Sequence, residues 1–335
     1  MMVSLEKSLA RLRLDPFLLL IMLAVLLATL LPVRGDAARA VATVTDVAIA
    51  LLFFLHGAKL SRDAVIAGIR AWKIHLTVLA ATFMLFPLLG LAIQAVIDPW
   101  LNPAIGAGIL LLCMMPSTVQ SSIAFTATAR GNVPAAICSA ALSNILGVVV
   151  TPLLVTLFFA HTTGGMSWDS ATKIGSQLLL PFILGHLCRP LLLNLLNRWK
   201  QLLPRYDRGV IVLVVYVAFS AAVVDGLWTR YSVEDLVWTL LLTSLLLAVA
   251  LTATTFAARA LKFSTADETV IVFCGSKKSL ASGVPIAGAL FPAAAVGPMI
   301  LPLMLFHQLQ LMACAVLAQR YAHRAEMLQA QSAPA

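Results

Sequence analysis

Charged residues are in short supply. Asp, Glu, Lys and Arg make up 11% of the 335 residues and 61% are hydrophobic, whereas a soluble globular protein is roughly 25% charged. A soluble core has no room for apolar runs of about 20 residues repeated along the chain, each long enough to cross roughly 30 Å of hydrocarbon. The composition therefore predicts a polytopic membrane protein. Cysteine is sparse as well: Cys113, Cys138, Cys188, Cys274 and Cys314 all fall in apolar runs, with no CxxC pair and a single nearby histidine, His186 two positions before Cys188. That pattern argues against a zinc site and against structural disulfides. Dinucleotide-type GxGxxG, P-loop, HExxH and nucleophile-elbow motifs are missing, so neither an enzyme with a cofactor nor an ATP-driven pump is expected. Acidic residues number 14 against 23 Lys and Arg, giving a net charge of +9. No zinc-finger or basic-aromatic module accompanies the excess, so nucleic acid is not an expected partner. Anionic lipid headgroups are.

Ten spans are expected near residues 17–33, 43–58, 74–97, 104–129, 133–160, 174–193, 209–228, 236–258, 268–291 and 296–318. Thr29 to Gly35 lacks a small-x-small cleavage pattern, so the first helix is expected to be retained. With a cytoplasmic N-terminus, 17 of the 23 basic residues fall inside, Arg34, Arg39, Lys173 and Arg230 fall outside, and two lie within the membrane. This is the bias that the positive-inside rule requires. Both termini are thus expected in the cytoplasm, with a bacterial inner membrane as the location. Residues 321–335 read as a polar cytoplasmic tail, and the segment His161–Lys173 as an external loop. Asp225, Asp267 and Glu268 stand at span ends, where acidic groups suit capping.

Polarity intrudes into two spans. In the fourth, Pro116 is followed by Ser117, Thr118, Gln120, Ser121 and Ser122; in the ninth, Ser276, Lys277, Lys278, Ser279 and Ser282 precede Pro285. Proline removes a backbone donor and clashes with the preceding turn, so each span is expected to break near mid-membrane and expose carbonyls to a solute or ion. Lys277 and Lys278 are the only charges between residues 269 and 319. A charged lysine at that depth costs roughly 3 kcal/mol unless a cavity or partner relieves it. Adjacent helical residues point about 100° apart, so the two lysines are expected to serve different surroundings. Ser139, Ser143 and Asn144 stand at i, i+4 and i+5 of the fifth span and can bring oxygens to one region. His307, beside Gln308 and Gln310, is the histidine best placed to line a polar cavity. Cys113 and Cys274 are 161 positions apart, as are Ser121 and Ser282. That offset suggests duplication, and five crossings per half would make the two copies opposite in membrane orientation.

The runs Pro116 to Thr126, Ala129 to Asn132 and Phe273 to Pro285 resemble a divergent branch of the sodium/bile acid symporter family, over roughly Asp15 to Arg320. The resemblance implies an all-α polytopic membrane protein with ten transmembrane helices in two inverted five-helix repeats, 15–160 and 172–320. It also implies crossed, discontinuous helices 4 and 9 in a core domain, and a panel domain of helices 1, 2, 6 and 7. An organic anion would lie between panel and core, with ion sites near Ser121, Ser122, Ser139, Ser143, Asn144 and the segment Ser276 to Ser282. Better-known sodium-coupled members place a carboxylate and amides in the helix-nine motif, where this chain has Ser276, Lys277, Lys278, Ser279 and Leu280. An ammonium repels sodium and offers no lone pair, so ordinary two-sodium coupling is not the expectation. The expected activity is secondary transport of a small organic anion by alternating access, with sodium or proton coupling and no other cofactor. A membrane regulatory protein that keeps a transporter fold is the alternative.

Overall fold

Hydroxyls, amides and prolines set the helix boundaries. Asn102 starts one helix by accepting the Ala104 amide at 3.1 Å, with Pro103 as its first residue. Ser232 and Asp235 form a reciprocal capping box at the start of another. Ser264 and Ser279 cap two more, accepting the amides of Asp267 and Ser282 at 3.2 and 3.1 Å.

The computed structural model describes residues 16–59, 71–97, 102–159, 178–199, 201–230 and 232–332. In chain order the helices are α1 (Pro16–Leu30), α2 (Gly35–Lys59), α3 (Trp72–Ala80), α4 (Phe86–Ile97), α5 (Pro103–Met114), α6 (Gln120–Thr128) and α7 (Val133–Phe159). There follow α8 (Leu180–Arg198), α9 (Leu203–Val224), α10 (Leu227–Arg230), α11 (Val233–Ala260), α12 (Thr265–Gly275), α13 (Leu280–Leu290) and α14 (Ala293–Ser332). A π turn at Ala81–Leu85 joins α3 to α4 without interrupting the span. Among the described residues, eight helical stretches are long and apolar enough to cross a membrane, and Leu19–Leu30 and Pro103–Met114 are shorter apolar helices.

Three boundaries differ from the sequence reading. α2 begins at Gly35, whose φ of +61° suits a glycine at a turn, rather than at 43. α9 begins at Leu203 rather than 209, because Pro204 in its first turn is pre-organised for helix. α14 runs through the expected tail to Ser332, a segment rich in Ala, Gln, Leu and Met that favours helix. The expected external loop lies outside the described residues.

Packing sorts the helices by what they face. α1, α2, α8 and α9 pack on one another, with α2 against α8 and α1 against α9 as the broadest contacts. The outer side of α8 shows Leu180, Leu184, Leu187 and Leu191, an apolar face suited to lipid. The opposite extreme is α12–α13: 89% of its most apolar window is buried, against 11% in α8. α3, α6, α7 and α11 pack on α12, and α9 and α14 pack on α13. At one end Arg259 of α11 and Tyr321 of α14 both bond Glu268 Oε1 of α12, at 3.1 and 2.7 Å. Asn132 donates to Asp267 at 2.8 Å nearby.

The contact between α2 and α8 depends on two glycines. A Cβ on Gly57 would lie 1.9 Å from the Phe182 carbonyl oxygen, and one on Gly185 would lie 1.9 Å from that of Phe54. Small residues of this kind let membrane helices approach closely. Gly57→Ala and Gly185→Ala are each expected to cost about 1–3 kcal/mol, read as a lowered Tm in purified protein. Gly209→Ala, in open space inside α9, is expected to leave Tm unchanged or raise it slightly, since alanine favours helix.

Candidate functional site

A helix that stops inside a membrane leaves carbonyls with no water to receive. Two helices stop here, α5 at Met114 and α12 at Gly275, and α6 and α13 resume beyond them. The two breaks lie against each other, and each supplies donors for the other's carbonyls. Ser117 Oγ donates to Cys274 O at 2.5 Å and Ser122 Oγ to Phe273 O at 2.7 Å. In return Lys278 Nζ donates to Cys113 O and Met115 O, both at 2.8 Å, and the Ser279 amide donates to Pro116 O at 2.8 Å. Thr151 Oγ1 takes Met114 O at 2.8 Å.

Neighbouring spans clamp the extended strands. Asn144 Nδ2 donates to Ser117 O at 2.8 Å, Ser143 Oγ accepts the Ser117 amide at 3.0 Å, and Ser282 Oγ donates to Asn144 Oδ1 at 2.6 Å. From α14, Gln310 accepts the Lys278 amide at 2.8 Å and donates to its carbonyl at 2.9 Å. His307 Nδ1 lies 2.8 Å from the same Gln310 amide nitrogen.

Both lysines are fully buried. They point to different places, from the non-helical break between α12 and α13 rather than from successive positions of a helix. Lys277 Nζ donates to Ser121 Oγ at 2.9 Å and sits 4.3 Å from the Phe125 ring centroid. Lys278 Nζ also donates to Thr82 O at 2.7 Å and lies 4.2 Å from the Phe86 ring centroid.

Beside the crossing is a cavity of about 470 Å³. Thr118, Gln120, Ser121, Asn144, Ser279, Ser282 and His307 line it on the side of the breaks. Lys277, Lys278, Ser117, Ser122, Ser143 and Ser276 stand behind that lining, the serines and lysines being buried in the crossing itself. Ser276 Oγ turns back to Val272 O at 2.6 Å. Ser139 lies farther off, its Oγ 2.7 Å from His75 Nδ1 of α3. Gln308 is not among the lining residues, and among the described residues its Oε1 has no hydrogen-bond partner.

The opposite wall was not anticipated. It carries Phe17, Phe53 and Phe182 together with His56, Lys59, Asp207 and Arg208. Lys59 Nζ lies 3.2 Å from Asp207 Oδ2, His56 Nε2 lies 3.6 Å from the same oxygen, and Arg208 lies over the Phe17 ring at 5.6 Å. In the sequence Lys59 and Arg208 read as basic residues of the inner side, just outside the expected spans. The cue that places Asp207 and Arg208 on a helix is the Leu203-Pro204 pair, which starts α9 ahead of its apolar run.

Gln310 is a further residue that the sequence pattern, centred on His307 and Gln308, does not single out. Gln310→Leu would leave both backbone groups of Lys278 unpaired and buried, at about 1–3 kcal/mol each. It is expected to lower Tm more than Gln308→Leu does, as measured by thermal unfolding of the purified variants.

Comparison with known proteins places this geometry. Residues 15–323 match the model of the SBF-like CPA transporter family. The chain is 55% identical to uncharacterized protein PA2026 of Pseudomonas aeruginosa, over 92% of this chain and 93% of that protein. It is 50% identical to "Putative symporter YfeH" of Escherichia coli, over 95% and 96% of the two chains. Sodium/bile acid cotransporter 7 of Danio rerio is 29% identical, over 92% and 94%. The resemblance carried by the runs at Pro116 and Phe273 thus extends along nearly the whole chain, and identity is greater to these bacterial relatives than to the vertebrate one. This integral membrane protein belongs to the SBF-like CPA transporter family, a transporter family and not an enzyme family.

Proposed function

We propose that the protein is a secondary transporter of a small organic anion, working by alternating access. The observation that carries this reading is the cavity with two unlike walls. One wall is made by both helix breaks; the other is made by α1, α2, α8 and α9, of which α9 packs on α1 and α2 and α2 packs on α8. A solute held between them changes sides if one unit rocks against the other. In this reading α1, α2, α8 and α9 are the panel, and the remaining spans are the core.

An internal repeat supports the same scheme. Ser117 reaches Cys274 O, and Lys278, 161 positions after Ser117, reaches Cys113 O, 161 positions before Cys274. Such reciprocity is what two copies of opposite orientation would produce at their crossing. The proposal is ten spans in two five-helix repeats, 15–160 and 172–320, with both termini in the cytoplasm of a bacterial inner membrane.

Charge and volume point to the solute class. Lys59 and Arg208 outnumber Asp207, so the panel wall is net positive, and its aromatic rings offer an apolar bed beside the charge. A cavity of about 470 Å³ falls within the range of small-molecule sites, about 300–1,000 Å³. A compact anionic group would meet Lys59 and Arg208 while hydroxyls of Thr118, Ser121 and Ser282 orient the body. Coupling to sodium or to protons is part of the proposal, and the crossing bears on which.

The test is counterflow in proteoliposomes of purified protein, with a panel of sulfated, carboxylated and steroidal anions. At least one should exchange, with strict trans-stimulation. Arg208→Met and Lys59→Met are each expected to raise its KM about tenfold or more, the loss of a hydrogen bond to a charged group, without a matching fall in Tm. Monodisperse protein that exchanges none of these anions would count against transport and favour the regulatory alternative.

A further inference from the structure

Three backbone carbonyls converge on one point in the crossing. Thr82 O, Cys113 O and Met115 O lie 2.7, 2.8 and 2.8 Å from Lys278 Nζ. Each is left over by its own helix for a reason visible in the sequence. The π turn sends the Phe86 amide to Ala81 O, and the next position able to reach Thr82 O is Pro87, which has no N–H. The Ser117 amide, which would serve Cys113 O in a continuous helix, is held by Ser143 Oγ at 3.0 Å. Met115 is the extended residue at the end of α5, just before Pro116. The C-terminal end of α5 adds the negative pole of its dipole, and the Phe86 ring face stands 4.2 Å from Nζ.

Unwound carbonyls at a half-helix C-terminus are the ligands with which membrane transporters hold a cation. Here the occupant belongs to the chain. Three acceptors match the three N–H donors of an ammonium, one more than a neutral amine carries. Gln310 fixes the Lys278 backbone from both sides, which holds the stem toward this point. No Asp or Glu occurs between residues 269 and 319, so the segment offers no carboxylate to a second cation.

We infer that this is a cation site whose cation is built in: the Lys278 ammonium fills it permanently, and the protein neither binds nor carries an alkali ion there. Whatever gradient drives transport, sodium bound at the crossing does not supply the coupling. Lys278 acts here as a positioning residue, holding α4, α5 and the second break in register as a bound ion would. The inference rests on the geometry of the crossing and not on the solute proposed above, and its test uses no solute.

Wild-type protein in nanodiscs is titrated with sodium chloride at constant ionic strength, balanced by choline chloride, and assayed for binding of radiolabelled sodium. Unchanged Tm and no saturable sodium binding are expected; a saturable sodium site or a sodium-specific rise in Tm would overturn the inference. The second arm is Lys278→Ala, which opens the carbonyl cluster. Ammonium, methylammonium or sodium should raise its lowered Tm saturably. Tetramethylammonium, which has no N–H and is too large, should not. Wild type and Lys277→Ala should show no such response. A folded Lys278→Ala protein indifferent to every small cation would show that Lys278 is only a packing peg and would also overturn the inference. Where that variant is not recovered folded, the wild-type sodium binding decides.

Discussion

Backbone carbonyls stranded in hydrocarbon govern this architecture. Each break ends a helix where water cannot reach, and every orphan acceptor must find a donor or cost about 1–3 kcal/mol. The chain resolves this by laying one break on the other, so that Ser117, Ser122, Lys278 and the Ser279 amide donate across the crossing. Neither broken span is satisfied alone. That mutual dependence explains why α12 and α13 are buried far more completely than the spans around them, and why the amides that clamp the breaks, Asn144 and Gln310, come from the spans that follow each one.

A rigid crossing gives the cavity one fixed wall. The other wall is assembled differently. α2 and α8 meet through glycine against backbone, and α9 ties itself to α2 through Lys59 and Asp207 and through Tyr206, which donates to Ala48 O at 2.9 Å. α9 also packs on α13 and α14, so it is the element that links the two units. Its charges face the cavity from the N-terminal end of the helix. The cavity is thus lined by polar groups on one side and by basic and aromatic groups on the other.

Much of this was legible in the sequence, for reasons that also explain what was not. Hydropathy located the spans, because lipid-facing leucines such as Leu187 and Leu191 need no partner to be recognised. Pro116, with its following hydroxyls, and the Ser-Lys-Lys-Ser run marked the two breaks, since proline and clustered polarity have local effects. The destinations of the side chains were not local. Lys278 reaches Thr82, 196 positions away, and the only trace of that acceptor is Pro87, whose missing N–H matters only once the π turn is known. Gln310 rather than Gln308 faces the break because of the rotation of α14, and apolar patterning does not fix that rotation when most of its faces are apolar. Lys59 and Arg208 fall just outside the expected spans because apolar runs, not helix caps, draw those boundaries.

The most direct measurement of the mutual capping is nuclear magnetic resonance of protein isotopically labelled at lysine Nζ. An ammonium with all three donors engaged inside the crossing should give a resolved signal that exchanges slowly with water and disappears in Lys278→Met. A spectrum in which every lysine nitrogen exchanges as fast as a surface side chain would contradict the account, because it would mean that the carbonyls of the first break are not held by the second.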